Sequence, residues 1–375
     1  MLSVSCSNAK EQTVNFTLYG SNLQARLDVS QLQSYDGDPV FTFDKHMAAT
    51  AKTLEDCQSI RKEMNLSDWA YVKMLDKLSV AALDSTNDAV VLMATLLNLS
   101  GYGVQLMLVE DSTRQMRLAY RTEATVLNNN FWVVDNENYA LYGDSIKGAT
   151  PIKMLSNGKG KPVDFHYQGE MKLAQQLSEP RTLTSKKNLD FSFTVQVNKN
   201  LLDYYGELPT VMYDNNFMTR WTNMAEFPLE QQLQDSLITQ MKQQLQGKSQ
   251  QEQVQQLLWW VQTAFDYEYD EDVWGYDRAF YCEETLFYPY CDTEDRSILF
   301  SRLVRDVTGL DVVFIYYPGH TAVGVCFTDA DVKGASVDHE GRRYVVCDPT
   351  YIRSTIGIEM PPVVGKEKTI MPLGK

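Results

Sequence analysis

Three residues in the C-terminal part of the chain, Thr293, His320 and Asp348, have the order and setting of a nucleophile, an imidazole base and an orienting carboxylate. Catalysis of the Cys-His-Asp kind places a thiolate at a helix N-terminus, where the dipole lowers its pKa. A histidine on a neighbouring strand exchanges its proton, and a carboxylate fixes the ring tautomer. The stretch YPYCDTEDRSILFSRLVRDVTGLDVVFIYY, residues 288–317, supplies the loop, the helix and the first strand of such a scaffold. The position where the nucleophile belongs holds Thr293, and the nearest thiol, Cys291, stands two residues earlier.

The elements that must position these residues follow from local pattern. Leu299, Leu303 and Val307 recur at i, i+4 and i+8 and predict a helix over Glu294 to Val307, with Thr293 as its N-cap. The turn Pro318-Gly319 is followed by His320, which opens the predicted strand TAVGVCF. Asp348 follows the predicted strand RRYVVC and precedes Pro349, which places it at a strand end. A threonine hydroxyl is far less acidic than a thiol, whose ordinary pKa is about 8.5, and a helix dipole contributes only about 1 kcal/mol. In an extended segment a shift of two residues moves a side chain by roughly 6 to 7 Å, whereas catalysis tolerates errors nearer about 1 Å. The expectation is therefore a frame without its nucleophile, with thiol chemistry through Cys291 as the alternative. Tyr290, Trp274 and Tyr276 are candidate groove residues. His46, His166 and His339 lack partners at meaningful spacing.

The motifs FDYEYDEDVWGYDRAFYCEETLFYPY, DTEDRSILFSRLVRD, YYPGHTAVGV and CDPTYI, spanning about Leu257 to Thr350, resemble the transglutaminase-like superfamily, the papain-like fold, in its Gram-negative bacterial envelope branch. In that branch the helix-start motif is Asp-Cys-Glu-Asp-Arg-Ser, where this chain has Asp292-Thr293-Glu294-Asp295-Arg296-Ser297. The family's histidine falls on His320, its aspartate on Asp348 and its nucleophile on Thr293. The resemblance implies an inactive relative that serves as a binding or scaffold module for a protein or peptide partner. The alternative is an active cysteine peptidase or an amide or acyl transferase using Cys291 with His320 and Asp348. It also implies a periplasmic or envelope-associated location. The start MLSVSCSNAKEQ is similar to the end of a bacterial lipoprotein signal, which would anchor the chain through Cys6; an incidental cysteine is the other reading.

The fold class expected is α+β, with four regions. Residues 1–43 form an N-terminal tail and β-hairpin. Residues 44–144 form a degenerate transglutaminase-like α/β domain, 145–228 a linker and β-rich insertion, and 229–375 the transglutaminase-like domain. The N-terminal copy rests on an internal repeat: DSTNDAVVLMATLLNLSGYGVQLML matches YCDTEDRSILFSRLVRDVTGLDVVFI in its order of features, with Thr86 facing Thr293, Asp88 facing Asp295 and Gly101 facing Gly309 after one inserted residue. No histidine follows in this copy before His166, so no chemistry is expected from it. Helical spacing predicts helices from Met47 to Ile60, from the Ser67 or Asp68 cap through Leu78, and from Asp88 to Leu99. Strands are predicted at Val104 to Val109, Met116 to Tyr120, Phe131 to Asp135 and Phe191 to Val197, whereas Ser145 to Ser185 has the composition of a loop. Two helices, Leu229 to Leu245 and Glu252 to Phe265, should precede the C-terminal motifs.

Composition narrows the partners. With 375 residues, 44% hydrophobic, the chain is long enough for two or three cored domains. A net charge of −15 without a concentrated basic patch excludes a nucleic-acid partner on electrostatic grounds. No apolar run reaches the roughly 20 residues of a spanning helix. The six cysteines contain no CxxC pair, so no zinc site and no cofactor are expected, while Cys282 and Cys291 are close enough in sequence to bridge. The acidic run DYEYDEDVW lacks the glycine and terminal glutamate of a calcium loop and is expected to be a solvated loop.

Overall fold

The computed structural model describes residues 11–28, 32, 43, 47–110, 114–147, 152–329 and 331–374. Cys6, His46 and residues 33–42 lie outside the described residues. The chain is mixed α+β and divides into two compact units, Met1–Ala174 with Glu207–Asn215, and Gln175–Gly206 with Asn216–Lys375.

In the first unit the strands Glu11–Leu18 and Ser21–Asp28 form a hairpin. Its two-residue turn uses positive φ at both Tyr19 (43°) and Gly20 (75°), the geometry whose twist suits paired strands. Three helices follow, Met47–Met64, Asp68–Ala82 and Thr86–Leu99. Ser67 caps the second by accepting from the Ala70 N–H at 3.0 Å, and Ser85 caps the third at the Asp88 N–H. The third helix is apolar on most of its circumference, and Ala94, Leu96 and Leu97 are fully buried. A five-stranded antiparallel sheet completes the unit with Val104–Val109, Met116–Arg121, Phe131–Val134, Glu137–Leu141 and Ile152–Gly158. The last of these corrects the loop expected over Ser145 to Ser185. Its lysines and glycines hide a short IKML strand that forms because Val104–Val109 offers a free edge to pair with.

The second unit contains the short hairpin Arg181–Thr184 with Ser192–Val195 and then helices rather than a β-rich insertion reaching Phe227. Lys199–Glu207 and Thr219–Glu226 are helical because apolar residues recur at helical spacing, Trp221 and Met224 for example. The segment Gln231–Leu245 is helical with one π turn at Gln234–Ile238. Gln250–Ala264 starts on a capping box of Ser249 and Glu252 and buries Leu257, Leu258, Trp260 and Val261 completely. Thr293–Thr308 ends at Gly309, whose φ of 72° is the left-handed cap that a residue with Cβ would strain. This helix is buried beyond the expected Leu299 and Leu303 stripe: Arg296, Ser297, Ile298, Phe300 and Val304 are also at 0% exposure, while Val307 is only half-buried. It packs against Gln250–Ala264 and the His320 strand.

The sheet of this unit has strands Val312–Tyr317, His320–Val325, Ser336–His339, Arg342–Cys347 and Thr369–Pro372, all antiparallel. Counting strands in chain order, both five-stranded sheets run third, fourth, second, first, fifth, and both curl into half-barrels.

Gly324 sits in the centre of this sheet, opposite Val346 and beside Val313. A Cβ there would lie 2.9 Å from Tyr344 Cβ and 2.9 Å from Val313 Cγ2. Those atoms are fixed to strand backbones, so the clash outweighs the backbone-entropy gain of about 0.5 to 1 kcal/mol that alanine brings. Gly324→Ala should lower unfolding stability by about 1 to 3 kcal/mol. An unchanged urea midpoint, followed by circular dichroism, would show the site to be more yielding than its packing implies.

Candidate functional site

His320 and Asp348 meet because of sheet register. Tyr317 pairs with His320 across the Pro318-Gly319 turn, where Gly319 takes φ 81°. Val323 pairs with Cys347 on the adjacent strand, and continuing that register sets Asp348 opposite Ala322, on the same face as His320 two residues away. The result is a 2.7 Å contact between His320 Nε2 and Asp348 Oδ2, with side chains 8% and 1% exposed. Nε2 is therefore the ring nitrogen committed to the carboxylate, which leaves Nδ1 for any other partner.

The carboxylate is itself held from every side. Its Oδ1 accepts from the Thr350 N–H (3.1 Å), the Thr350 hydroxyl (2.9 Å) and the Tyr351 N–H (3.0 Å). The Asp348 carbonyl accepts from Gln262 Nε2 at 2.9 Å, and the same amide nitrogen reaches the carbonyl of Tyr351 and the hydroxyl of Ser354, each at 3.0 Å. Gln262, fully buried on the Gln250–Ala264 helix, is thus a positioning residue. Nothing in its sequence context marks it out beyond one polar residue in the apolar run LLWWVQTAF.

Thr293 is the first residue of its helix, and the cap is Asp292, which corrects the N-cap expected at Thr293. Asp292 has extended backbone and its N–H is held by Asp295 Oδ2 at 3.1 Å, a reach-back that fixes the helix boundary one residue earlier. The Thr293 hydroxyl lies 3.2 Å from the Tyr267 hydroxyl. The Ser297 hydroxyl, one turn on, contacts the carbonyls of Thr293 (2.9 Å) and Thr321 (3.3 Å), tying the helix start to the start of the His320 strand.

Cys291 faces elsewhere. It belongs to a two-residue strand, Tyr290–Cys291, paired in parallel with Asp266–Tyr267. Its sulfur takes a hydrogen bond from Arg296 Nε at 3.3 Å and lies 3.9 Å from the Asp266 carbonyl. Among the described residues no hydrogen bond joins it to His320. Burial pushes its pKa up to about 12 and outweighs the opposing pull of Arg296, so the group is a thiol at neutral pH. Cys282 and Cys291, close enough in sequence to bridge, do not do so. Cys57, Cys282, Cys291, Cys326 and Cys347 are all free, and Cys282 Sγ is turned toward the Ile298 carbonyl on the far helix.

Arg296 is fully buried, and besides Cys291 it donates to the Gln262 carbonyl (3.1 Å) and the Phe265 carbonyl (3.2 Å). The acidic run before it is not a uniformly solvated loop. Asp270 is 8% exposed, opens a short helix Asp270–Val273 and accepts from the Arg278 N–H at 2.6 Å. Asp270, Asp292 and Glu294 each offer an oxygen, all within 4.8 Å of one another, and among the described residues this is the group that could hold a hard cation. The sequence pattern missed it because its members come from two separated segments. Burial first, and then the neighbouring Glu294 and Asp270, push Asp292 up to about 8; Asp295, also buried, is raised well above the carboxylate range. Arg220 stands 3.8 Å from Glu294 and 2.6 Å from Asp277. Of the candidate groove aromatics, Tyr276 is 58% and Tyr290 39% exposed, whereas Trp274 packs edge-on to Phe280 and Tyr288 beneath Arg278. His166 lies 3.3 Å from Asp164 and stacks on Tyr213.

Compared with protein-family models and with curated proteins, the chain matches none.

Burial of Glu283, which accepts from the Glu230 N–H and the Tyr205 hydroxyl at 3.0 Å each, pushes its pKa up to about 7 from an ordinary 4.5. The folded state then holds a proton that the unfolded state releases. Its contribution to stability is full below the ordinary value and is lost as pH rises through the folded one. Asp292 and Asp295 add the same sign. Urea midpoints should fall between about pH 5 and about pH 8, and Glu283→Gln should flatten part of that fall. An identical slope in the variant would place the proton elsewhere.

Proposed function

We propose that residues 229–375 form a transglutaminase-like domain of the papain-like fold that keeps its His320–Asp348 frame and has lost its nucleophile, so that the protein acts as a non-catalytic binding or scaffold module for a protein or peptide partner. The observation that carries this reading is Thr293. It stands at the first turn of the helix beside the His320 strand, with its hydroxyl bonded to Tyr267 rather than to an activating base. The opposing possibility, a cysteine peptidase or acyl transferase working through Cys291, would need that sulfur within reach of the imidazole. Its contacts with Arg296 and Asp266 and its raised pKa speak against it. The identical strand order of the two sheets, together with Thr86 and Thr293 both opening a helix, supports the first unit as a degenerate copy of the same fold. A periplasmic or envelope-associated location, with a lipid anchor at Cys6, rests on the motif resemblance alone.

Labelling with iodoacetamide at neutral pH tests the reading. In the unaltered chain Cys291 should react slowly and independently of His320. In Thr293→Cys the new thiol should react faster than a free cysteine by about tenfold or more, a factor corresponding to one unit of pKa at pH 7. His320→Ala in that background should remove the enhancement. Rapid labelling of Cys291 that is abolished by His320→Ala, with Cys291→Ser as control, would overturn the proposal in favour of a working thiol.

A further inference from the structure

The first unit holds a pocket of about 380 Å³ between the helices Asp68–Ala82 and Thr86–Leu99 and the sheet. Three of its lining residues occupy places that carry the frame in the second unit. Thr86 is the first residue of its helix, as Thr293 is. Met116 opens the second strand of its sheet, as His320 does. Tyr142 follows the fourth strand, as Asp348 does. Met116 and Tyr142 cannot relay a proton between a nucleophile and a carboxylate, so the position has become a cavity of a size that takes a small molecule.

Its chemistry is defined. Val90, Met93 and Leu118 supply apolar walls. Asp76 and Asp84 supply two carboxylates, and neither has an ion-pair partner among the described residues. Lys73 and Lys77 lie 3.5 Å and 3.9 Å from Glu207, and Arg117, which also lines the pocket, donates to the Asp144 carbonyl and makes no ion pair with Asp76 or Asp84 among the described residues. The Tyr142 hydroxyl is withdrawn from solvent and its neighbour is the Asp76 carboxylate, to which it can donate. Burial and the neighbouring Asp76 carboxylate both raise its pKa, so it remains a neutral phenol able to accept a hydrogen bond.

From this combination of apolar walls, carboxylates without an ion-pair partner among the described residues and a phenol oxygen beside Asp76 we infer that the first unit binds a small organic primary ammonium, its apolar body against Val90 and Met93 and its charged head between Asp76 and the Tyr142 hydroxyl. Two of the ammonium's three donors are taken by the Asp76 carboxylate and the Tyr142 hydroxyl, and its charge offsets that of Asp76. This site is independent of whether the second unit has lost its nucleophile.

Calorimetric titration with phenethylammonium, 2-phenylethanol and 3-phenylpropionate decides the matter. The three probes share a phenyl body and differ in the charge of the head group. Phenethylammonium should saturate one site and bind at least about tenfold more tightly than the other two, since a charge-assisted hydrogen bond contributes about 1.5 to 3 kcal/mol. Asp76→Asn, on a half-buried helix position, should remove most of that advantage, and Val90→Trp, which fills the pocket, should abolish binding by all three. Circular dichroism verifies that each variant is folded, and should Val90→Trp fail to fold, Asp76→Asn alone decides. Equal affinity for the alcohol or the carboxylate, no effect of Asp76→Asn, undiminished binding by a folded Val90→Trp, or no saturable binding of the ammonium would each overturn the inference.

Discussion

A guanidinium with no exposure to water governs the second unit. Taking a charge out of water costs several kcal/mol unless its donors are matched, and Arg296 is matched by the Cys291 sulfur and by the carbonyls of Gln262 and Phe265. These partners come from the loop that enters the Thr293 helix and from the end of the Gln250–Ala264 helix, so satisfying one side chain fixes two elements against each other. Gln262 carries the constraint onward. Its carbonyl receives Arg296, and its side-chain amide holds the Asp348 carbonyl, so the helix start and the aspartate of the dyad are referenced to one buried residue. The imidazole is then placed by a carboxylate whose own lone pairs are already directed by Thr350 and Tyr351.

That arrangement does not depend on the Thr293 side chain. None of the contacts that position His320 and Asp348 runs through the Thr293 side chain, whose one hydrogen bond is to Tyr267. A threonine hydroxyl at this point has no pKa that a helix terminus could bring into range. The same logic explains Cys291. Proximity to a cation ordinarily favours a thiolate, yet here desolvation is the larger effect, because the guanidinium is shared among carbonyls and the sulfur is sealed behind Asp266. Nearness to Arg296 is therefore not enough to make Cys291 a thiolate.

The parts of this unit that were legible in the sequence are the local ones. The helix from Thr293, the turn before His320 and the strand end at Asp348 follow from spacing, glycine and proline placement, and alternation. Their register was not legible, yet it is what brings the dyad together. Equally hidden were the polar residues buried for tertiary reasons: Arg296, Gln262 and Glu283 look like ordinary surface types in a linear string, and only partners from distant segments allow them inside. The cap passed from Thr293 to Asp292 because Asp295 reaches back, a side-chain choice that periodicity does not encode. The strand at Ile152 was masked by flanking lysines and glycines, since an edge strand takes its identity from the strand it joins.

Comparison of the two units separates scaffold from chemistry within a single chain. Both sheets use one strand order and both helices before them begin with a threonine; a glycine with positive φ follows each, Gly101 (94°) after the cap Ser100 and Gly309 (72°) as the cap itself. At the two other frame positions the side chains diverge, to histidine and aspartate in one unit and to methionine and tyrosine in the other. The backbone positions are the same in both cases: the first residue of a helix, the first residue of the second strand, and the residue that leaves the neighbouring strand. Side chains at those points can pair with one another or line a cavity, and the fold does not choose between these outcomes. What chooses is whether the residues at the strand ends can hydrogen-bond to each other. His320 and Asp348 do so and close the space between them, whereas Met116 and Tyr142 line a pocket and leave its carboxylates and phenol facing it.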